Sequence, residues 1–250
     1  MTEEKRMGVL EHIEELRSRL IISIIAIIVT TALSYVFSDA ILEILTRPAG
    51  DLKLVTLGLM DGFLIHFRIA LYGGVTLAAP VWLYQAVRYL EPGLTPSEKR
   101  YVIPGVAGMV FLFLLGNLFG YLMLANMVTV LRAMFGSALT YLPGADQYIS
   151  FVVYFMIAVG LAFELPILML ILMKLGLVTP DFLRKQRRIA YFVLFVFAEL
   201  ITPVSDPIVA PMVVMVPMLI LFELALFLSR FMIPKPKPAS KVATTPGTSP

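Results

Sequence analysis

The chain has 250 residues, of which 59% are apolar and only 15% charged, with a formal net charge of +3. A soluble domain carries about 25% charged residues, so the composition excludes an ordinary soluble fold and predicts an all-α protein that crosses a membrane several times. No cysteine is present, which excludes disulfides, thiolate metal sites and a cysteine nucleophile.

The first element runs over about residues 8–20. Leu10, Ile13, Leu16 and Leu20 recur three or four apart, one stripe of a helix, while Glu11, Glu14, Glu15, Arg17 and Arg19 occupy its other faces. This predicts an amphipathic helix at a lipid surface. Lys5 and Arg6 are mixed with acids and no small-residue cleavage site follows. The apolar run after Leu20 is therefore expected to be retained as a span rather than removed as a signal peptide.

Six apolar segments follow in order, at about residues 20–37, 67–87, 102–124, 149–173, 189–201 and 208–228. A helix rises about 1.5 Å per residue, so the fifth would reach only about 20 Å of a 30 Å hydrocarbon core. Thr202-Pro203-Val204-Ser205-Asp206-Pro207 predicts a tight turn after it. The fifth and sixth segments thus read as a short hairpin across a locally thin bilayer, or the fifth borrows residues from its flanks. One membrane domain over residues 1–231 is expected, and the Pro-, Ser- and Thr-rich stretch 232–250 reads as a disordered tail.

Basic residues set the orientation. Sixteen lysines and arginines fall in the N-terminal arm, the loops after spans two and four, and the tail; four, namely Arg47, Lys53, Arg68 and Arg132, fall on the other side. Both termini are therefore expected to be cytoplasmic. On the outer side, Ile41, Leu42, Ile44 and Leu45 recur at helical spacing and predict a packed cap.

Enzyme chemistry finds little support. His12 and His66 are the only histidines and neither lies mid-span; no HExxH, P-loop or GxSxG motif occurs. No metal, cofactor or nucleic-acid partner is expected. The acids carry more information. Glu164 lies deep in the fourth span within Phe163-Glu164-Leu165-Pro166, where an ionised group costs about 3 kcal/mol on insertion scales. Pro166 frees a carbonyl near Ala162 and predicts a kink. Gln85 or Asn117 would be hydrogen-bonding neighbours for Glu164, or the three would line a proton-linked solute site. Glu199 and Glu223 lie nearer the interfaces. In the first inner loop, Thr95-Pro96-Ser97-Glu98 reads as a capping box. Glu15 can pair with Arg19 at i+4. Glu15 and Glu98, two acids on one membrane face, also suit a guanidinium ligand.

In order along six spans, His12 to Leu20, Tyr89 to Arg100, Phe163-Glu164-Leu165-Pro166, Thr202-Pro203 with Asp206-Pro207, and Phe222-Glu223 before Ser229-Arg230-Phe231 make the chain resemble the TatC family, the multispanning receptor of the twin-arginine translocase. The resemblance implies a curved, glove-like set of six helices with short fifth and sixth spans in the cell inner membrane. It implies export of folded proteins driven by the proton-motive force, self-association in a multimeric complex, and partners of the TatA and TatB kind. It implies that Glu15 and Glu98 recognise the arginine pair of signal peptides and that Tyr89 and Arg17 contribute to the same signal-peptide-binding region. Glu164, with Pro166, would lie in a lipid-facing pocket used by partner helices, and Glu223 belongs to the same set of intramembrane polar positions. Pro203 and Asp206 would have structural roles in the outer loop. Two departures stand out: Tyr89 replaces the usual phenylalanine, and Asp61 precedes Gly62-Phe63 where glutamate is common.

Overall fold

The computed structural model describes residues 9–50, 52–90, 100, 102–135, 142–202 and 209–232. Among these residues the chain is helical, with one isolated bridge between Val55 and Gly144 and no strand. The helices are α1 (Val9–Val36), α2 (Ser38–Thr46), α3 (Asp61–Leu77), α4 (Ala79–Leu90), α5 (Val102–Phe135), α6 (Ala145–Ala162), α7 (Leu165–Lys174), α8 (Pro180–Lys185), α9 (Arg187–Ile201) and α10 (Val209–Met232).

The amphipathic segment and the first span are one helix. Nothing between Val9 and Val36 is Gly or Pro, so no residue breaks the helix at position 20. The expected apolar stripe does not pack on protein: Leu10, Ile13, Leu16 and Leu20 are all exposed. The polar face carrying His12, Glu15 and Arg19 is the sheltered one. In a bilayer this is reasonable, because lipid solvates the apolar stripe and buried polar groups seek protein partners.

The second apolar segment is not one straight helix. α3 and α4 form a pair bent by 55° about Ala78. Pro80 has no N–H to continue the ladder, which causes the kink. The indole Nε1–H of Trp82 donates to the Val75 carbonyl at 3.0 Å, so one carbonyl at the bend keeps a donor.

The fourth segment breaks where Pro166 predicts. α6 ends at Ala162 and α7 begins at Leu165. The main packing partners differ on the two sides of the break, although one buried core spans it. α6 packs on α5 and α3, while α7 packs on α10, which also holds α9 and α8. The third span is longer than expected, 34 residues to Phe135. The fifth is short as expected: α9 has 15 residues, about 22 Å. It gains Arg187 and Arg188 at one end and remains short. Among the described residues four helices are long and apolar enough to cross a membrane, and the count rises to five when the bent pair is taken as one span. The tight turn at 203–207 and the tail lie outside the described residues.

Small residues let the spans approach closely. A Cβ on Gly74 would meet the Thr31 backbone at 2.7 Å, and one on Gly160 would lie 2.6 Å from the Asn117 amide nitrogen. Thr30 Oγ1 donates to the Gly74 carbonyl at 2.8 Å. On the side that the charge distribution assigns to the outside, α2 and the turn after it pack over the helices, with Leu45 and Ala49 buried. Tyr148 and Tyr121 donate to the carbonyls of Leu45 and Ile44. Arg68 on α3 pairs with Asp146 at the start of α6 and donates to Ser150 Oγ at 2.5 Å.

Candidate signal-peptide site

The site lies where α1 begins and α4 ends, the side that the charge distribution assigns to the cytoplasm. Two side-chain bridges are prominent among the contacts between these helices. The His12 and Tyr89 rings stack with centroids 4.3 Å apart and planes 12° from parallel. Two turns along, Arg19 reaches across, and its Nη1 donates to Gln85 Oε1 at 3.1 Å. Gln85 and Tyr89 are one turn apart on α4, so both bridges use the same helix face.

Arg19 also donates from Nε and Nη2 to Glu15 Oε1, at 2.8 and 2.5 Å. The i+4 pair expected from sequence is thus present. It is sheltered: the side chains of Arg19 and Glu15 are 22% and 16% exposed. The other carboxylate oxygen, Glu15 Oε2, is buried and accepts no hydrogen bond. A buried acceptor without a donor is unfavourable by about 1–3 kcal/mol, more when charged. Arg88 lies 5.9 Å from the Tyr84 ring centroid, within cation–π range. Arg17 is exposed on the outer face of α1. Glu98, with the capping box around it, lies outside the described residues.

His12, Arg19 and Gln85 are the members of this cluster to which the sequence assigns no site role. Their signal was the four-residue spacing, which pairs Glu15 with Arg19 and Gln85 with Tyr89 on adjacent turns. The sequence reading instead offered Gln85 and Asn117 as neighbours for Glu164, and the structure corrects this. Gln85 serves Arg19. Asn117 accepts from Tyr72 Oη at 3.0 Å and donates to the Phe113 carbonyl at 2.8 Å.

Glu164 itself sits at the α6–α7 break, with only 6% of its surface exposed. Neither carboxylate oxygen has a hydrogen-bond partner. It is enclosed by protein here, whereas the resemblance implies a lipid-facing pocket. Pro166 is buried in the first turn of α7. Glu223 on α10 is already satisfied within the chain: Arg187 Nη2 donates to one oxygen at 2.8 Å and Tyr191 Oη to the other at 2.7 Å. Pro203 and Asp206 lie outside the described residues. Asp61 accepts from the backbone N–H groups of Leu57 and Gly58 and so fixes the turn before α3. No group of three or more histidine or acidic side chains suited to a metal ion occurs among the described residues.

Comparison with known proteins agrees with this architecture. The family model described as Sec-independent protein translocase protein (TatC) matches residues 11–217. The chain is 34% identical over 236 residues to the TatC protein of Carboxydothermus hydrogenoformans, covering 93% of this chain and 97% of that one. It is 35% identical to the TatC protein of Aquifex aeolicus, covering 94% and 100%. A crystal structure of the twin arginine translocase receptor TatC in DDM superposes with a TM-score of 0.75 at 36% identity, covering 87% of this chain and 99% of that one. A second crystal structure of that receptor gives 0.73 at 37% identity, covering 89% and 99%. The chain therefore belongs to the TatC family: it is an integral membrane protein and a component of a Sec-independent protein translocase, not an enzyme.

Proposed function

We propose that this chain is the signal-peptide receptor of its translocase and binds an adjacent arginine pair with carboxylates at the inner ends of α1 and the first inner loop. The buried, unpartnered Oε2 of Glu15 carries this reading. A guanidinium is planar, always charged and forks onto carboxylates, whereas an ammonium is a point charge. Glu15 would take one guanidinium through Oε2, and Glu98 the other. The stacked His12–Tyr89 pair walls the site and offers a ring face to a cation. Arg17, exposed beside it, belongs to the same region.

The remaining roles follow from the family. The peptide's apolar stretch inserts along the scaffold, and single-span subunits of the TatA and TatB kind join at the intramembrane polar positions Glu164, Pro166 and Glu223. The proton-motive force drives passage of folded cargo through a multimeric complex in the inner membrane. One domain of six spans, with both termini cytoplasmic, completes the proposal.

The test is binding of the purified protein in detergent to a signal peptide carrying Arg-Arg and to its Lys-Lys twin, read by fluorescence anisotropy. The Arg-Arg peptide is expected to bind more tightly. Glu15→Gln and Glu98→Gln are each expected to weaken it about tenfold, the worth of one charge-assisted hydrogen bond. Equal affinity for the two peptides would reject the site.

A further inference from the structure

The outer loop that leads into α3 ends in a tip whose apolar side chains point away from the protein. Residues 54–60 carry no charge. Leu57 is 82% exposed, Met60 70%, and Leu59 completely. Phe63, in the first turn of α3, is exposed as well. A cluster of large apolar side chains left bare in this way marks a contact with apolar surroundings.

The tip is held in shape at both ends. The Val55 N–H donates to the Pro143 carbonyl at 3.2 Å and the Ala145 N–H to the Val55 carbonyl at 2.8 Å, so the second outer loop fixes the near end. Asp61 fixes the far end: its Oδ2 accepts from the N–H groups of Leu57 at 2.9 Å and Gly58 at 2.7 Å. A Cβ on Gly58 would lie 2.5 Å from Asp61 Oδ1, so the turn depends on glycine there. The carboxylate beside the tip is thus engaged with backbone donors. Bare N–H groups are what keep irregular backbone out of an apolar medium, and two of them are covered here.

The position of the tip says what covers it. Phe63, Phe67 and Leu71 recur four apart along α3 and are all exposed, and the two phenylalanine rings stack on each other. This is the lipid-facing stripe of a membrane helix, and Leu59 stands one further step of four before it. The depth agrees. α3 has 17 residues and α4 has 12, about 25 Å and about 18 Å of helix. With the 55° bend the pair covers about 36 Å along the α3 axis, more than a hydrocarbon core of about 30 Å and less than the roughly 40–45 Å that includes both headgroup layers. With Leu90 at the inner headgroups, Met60 lies at the outer ones.

We infer that the tip 57–60 is a membrane-surface anchor: it lodges Leu57, Leu59 and Met60 at the boundary between headgroups and acyl chains of the outer leaflet, and so fixes the depth at which α3 enters the bilayer. The occupant is lipid rather than a second protein, because the tip continues a stripe that lipid already covers. The contact is apolar, so it does not depend on the charge of the headgroups.

The absence of cysteine makes the test direct. Leu59→Cys and Met60→Cys each carry one NBD dye on the tip, and Lys53→Cys carries it on an exposed residue of the same loop as the aqueous reference. The full chain is reconstituted in vesicles of phosphatidylethanolamine and phosphatidylglycerol, and the dye is quenched by a lipid nitroxide near the headgroup or by aqueous iodide. All three sites lie on one side of the membrane, so mixed insertion cancels in their ratios. At residues 59 and 60, lipid quenching is expected to exceed that at residue 53 about threefold, and iodide quenching to fall by about the same factor. Vesicles of phosphatidylcholine alone are expected to give the same ratios.

Equal quenching at residues 53 and 59 places the tip in water and overturns the inference. Blue-shifted emission at residue 59 that neither quencher reaches, or that is lost when the protein is diluted in lipid, also overturns it, because protein then covers the tip. Loss of lipid quenching in phosphatidylcholine overturns it too, because headgroup charge then holds the loop. Should Leu59→Cys fail to fold, as judged by size-exclusion profile, Met60→Cys decides in the same way.

Discussion

Single side chains decide what the inner face can recognise. The His12–Tyr89 stack joins α1 to α4, and such a pair is worth about 0.5–1.5 kcal/mol beyond its buried area. Tyr89→Ala is expected to lower the melting temperature in detergent and weaken Arg-Arg peptide binding, while Tyr89→Phe keeps the ring and changes neither appreciably. Glu223 poses a different question, because Arg187 and Tyr191 already satisfy it. Glu223→Gln is expected to destabilise the α9–α10 contact by about 1 kcal/mol, since both members of the ion pair are about 40% exposed. Unaltered peptide binding in that variant, measured alongside its melting temperature, would set it apart from Glu15. The Glu15–Arg19 pair was legible in the sequence because it is four residues long. Its third point, Gln85, was not, because no local rule links residues 66 apart. The same blindness misassigned Gln85 to Glu164: a polar residue in an apolar run says that a partner exists, not which one.

At the scale of helices, the punctuation was partly readable. Pro166 announced the α6–α7 break, and the acid and proline on either side of Leu165 made it conspicuous. Pro80 also stood in the sequence, yet its 55° consequence was hidden, because a proline near the start of a helix is equally at home there without any bend. The join of α1 to the amphipathic segment was missed because hydropathy changes at Leu20 while backbone preference does not. Helix contacts supply further tests. Gly74→Ala is expected to destabilise the α1–α3 contact by about 1–3 kcal/mol, because the added methyl meets the backbone of Thr31 as well as its hydroxyl, and the backbone cannot simply rotate away. Arg68→Ala is expected to have a similar effect at the outer end, since Asp146 would lose its cation while 28% exposed. Both are read as melting temperatures in detergent, where wild-type-like values would show that the contacts contribute little.

For the whole molecule, the main packing partners change at the Glu164 break while one buried core runs across it from Leu45 to Leu226. The helices before it gather around α3 and α5; those after it gather around α10. One kinked span therefore belongs to both groups, and a buried acid without a protein partner sits at their junction. Pro166→Ala restores a backbone N–H at the α6–α7 break. It is expected to leave the protein folded and equally or more stable while reducing export of an Arg-Arg cargo several-fold, the pattern of a site where stability yields to function. Loss of folding instead would show that the bend is required only for packing. None of this grouping was visible in the sequence, which orders the spans but does not pair them.

The elbow between α3 and α4 carries its own optical reporter. Trp82 is the chain's single tryptophan, and its indole N–H is the group that holds the Val75 carbonyl across the bend. Its ring also lies edge-on to Phe113 of α5, with centroids 5.5 Å apart. Any straightening of the elbow must release that N–H and shift the ring against its neighbour. The intrinsic emission of the unlabelled protein is thus expected to respond to the angle of the helix pair whose far end carries Gln85 and Tyr89. Addition of an Arg-Arg peptide is expected to shift that emission if binding alters the elbow, and an unchanged emission maximum would show that the elbow stays fixed.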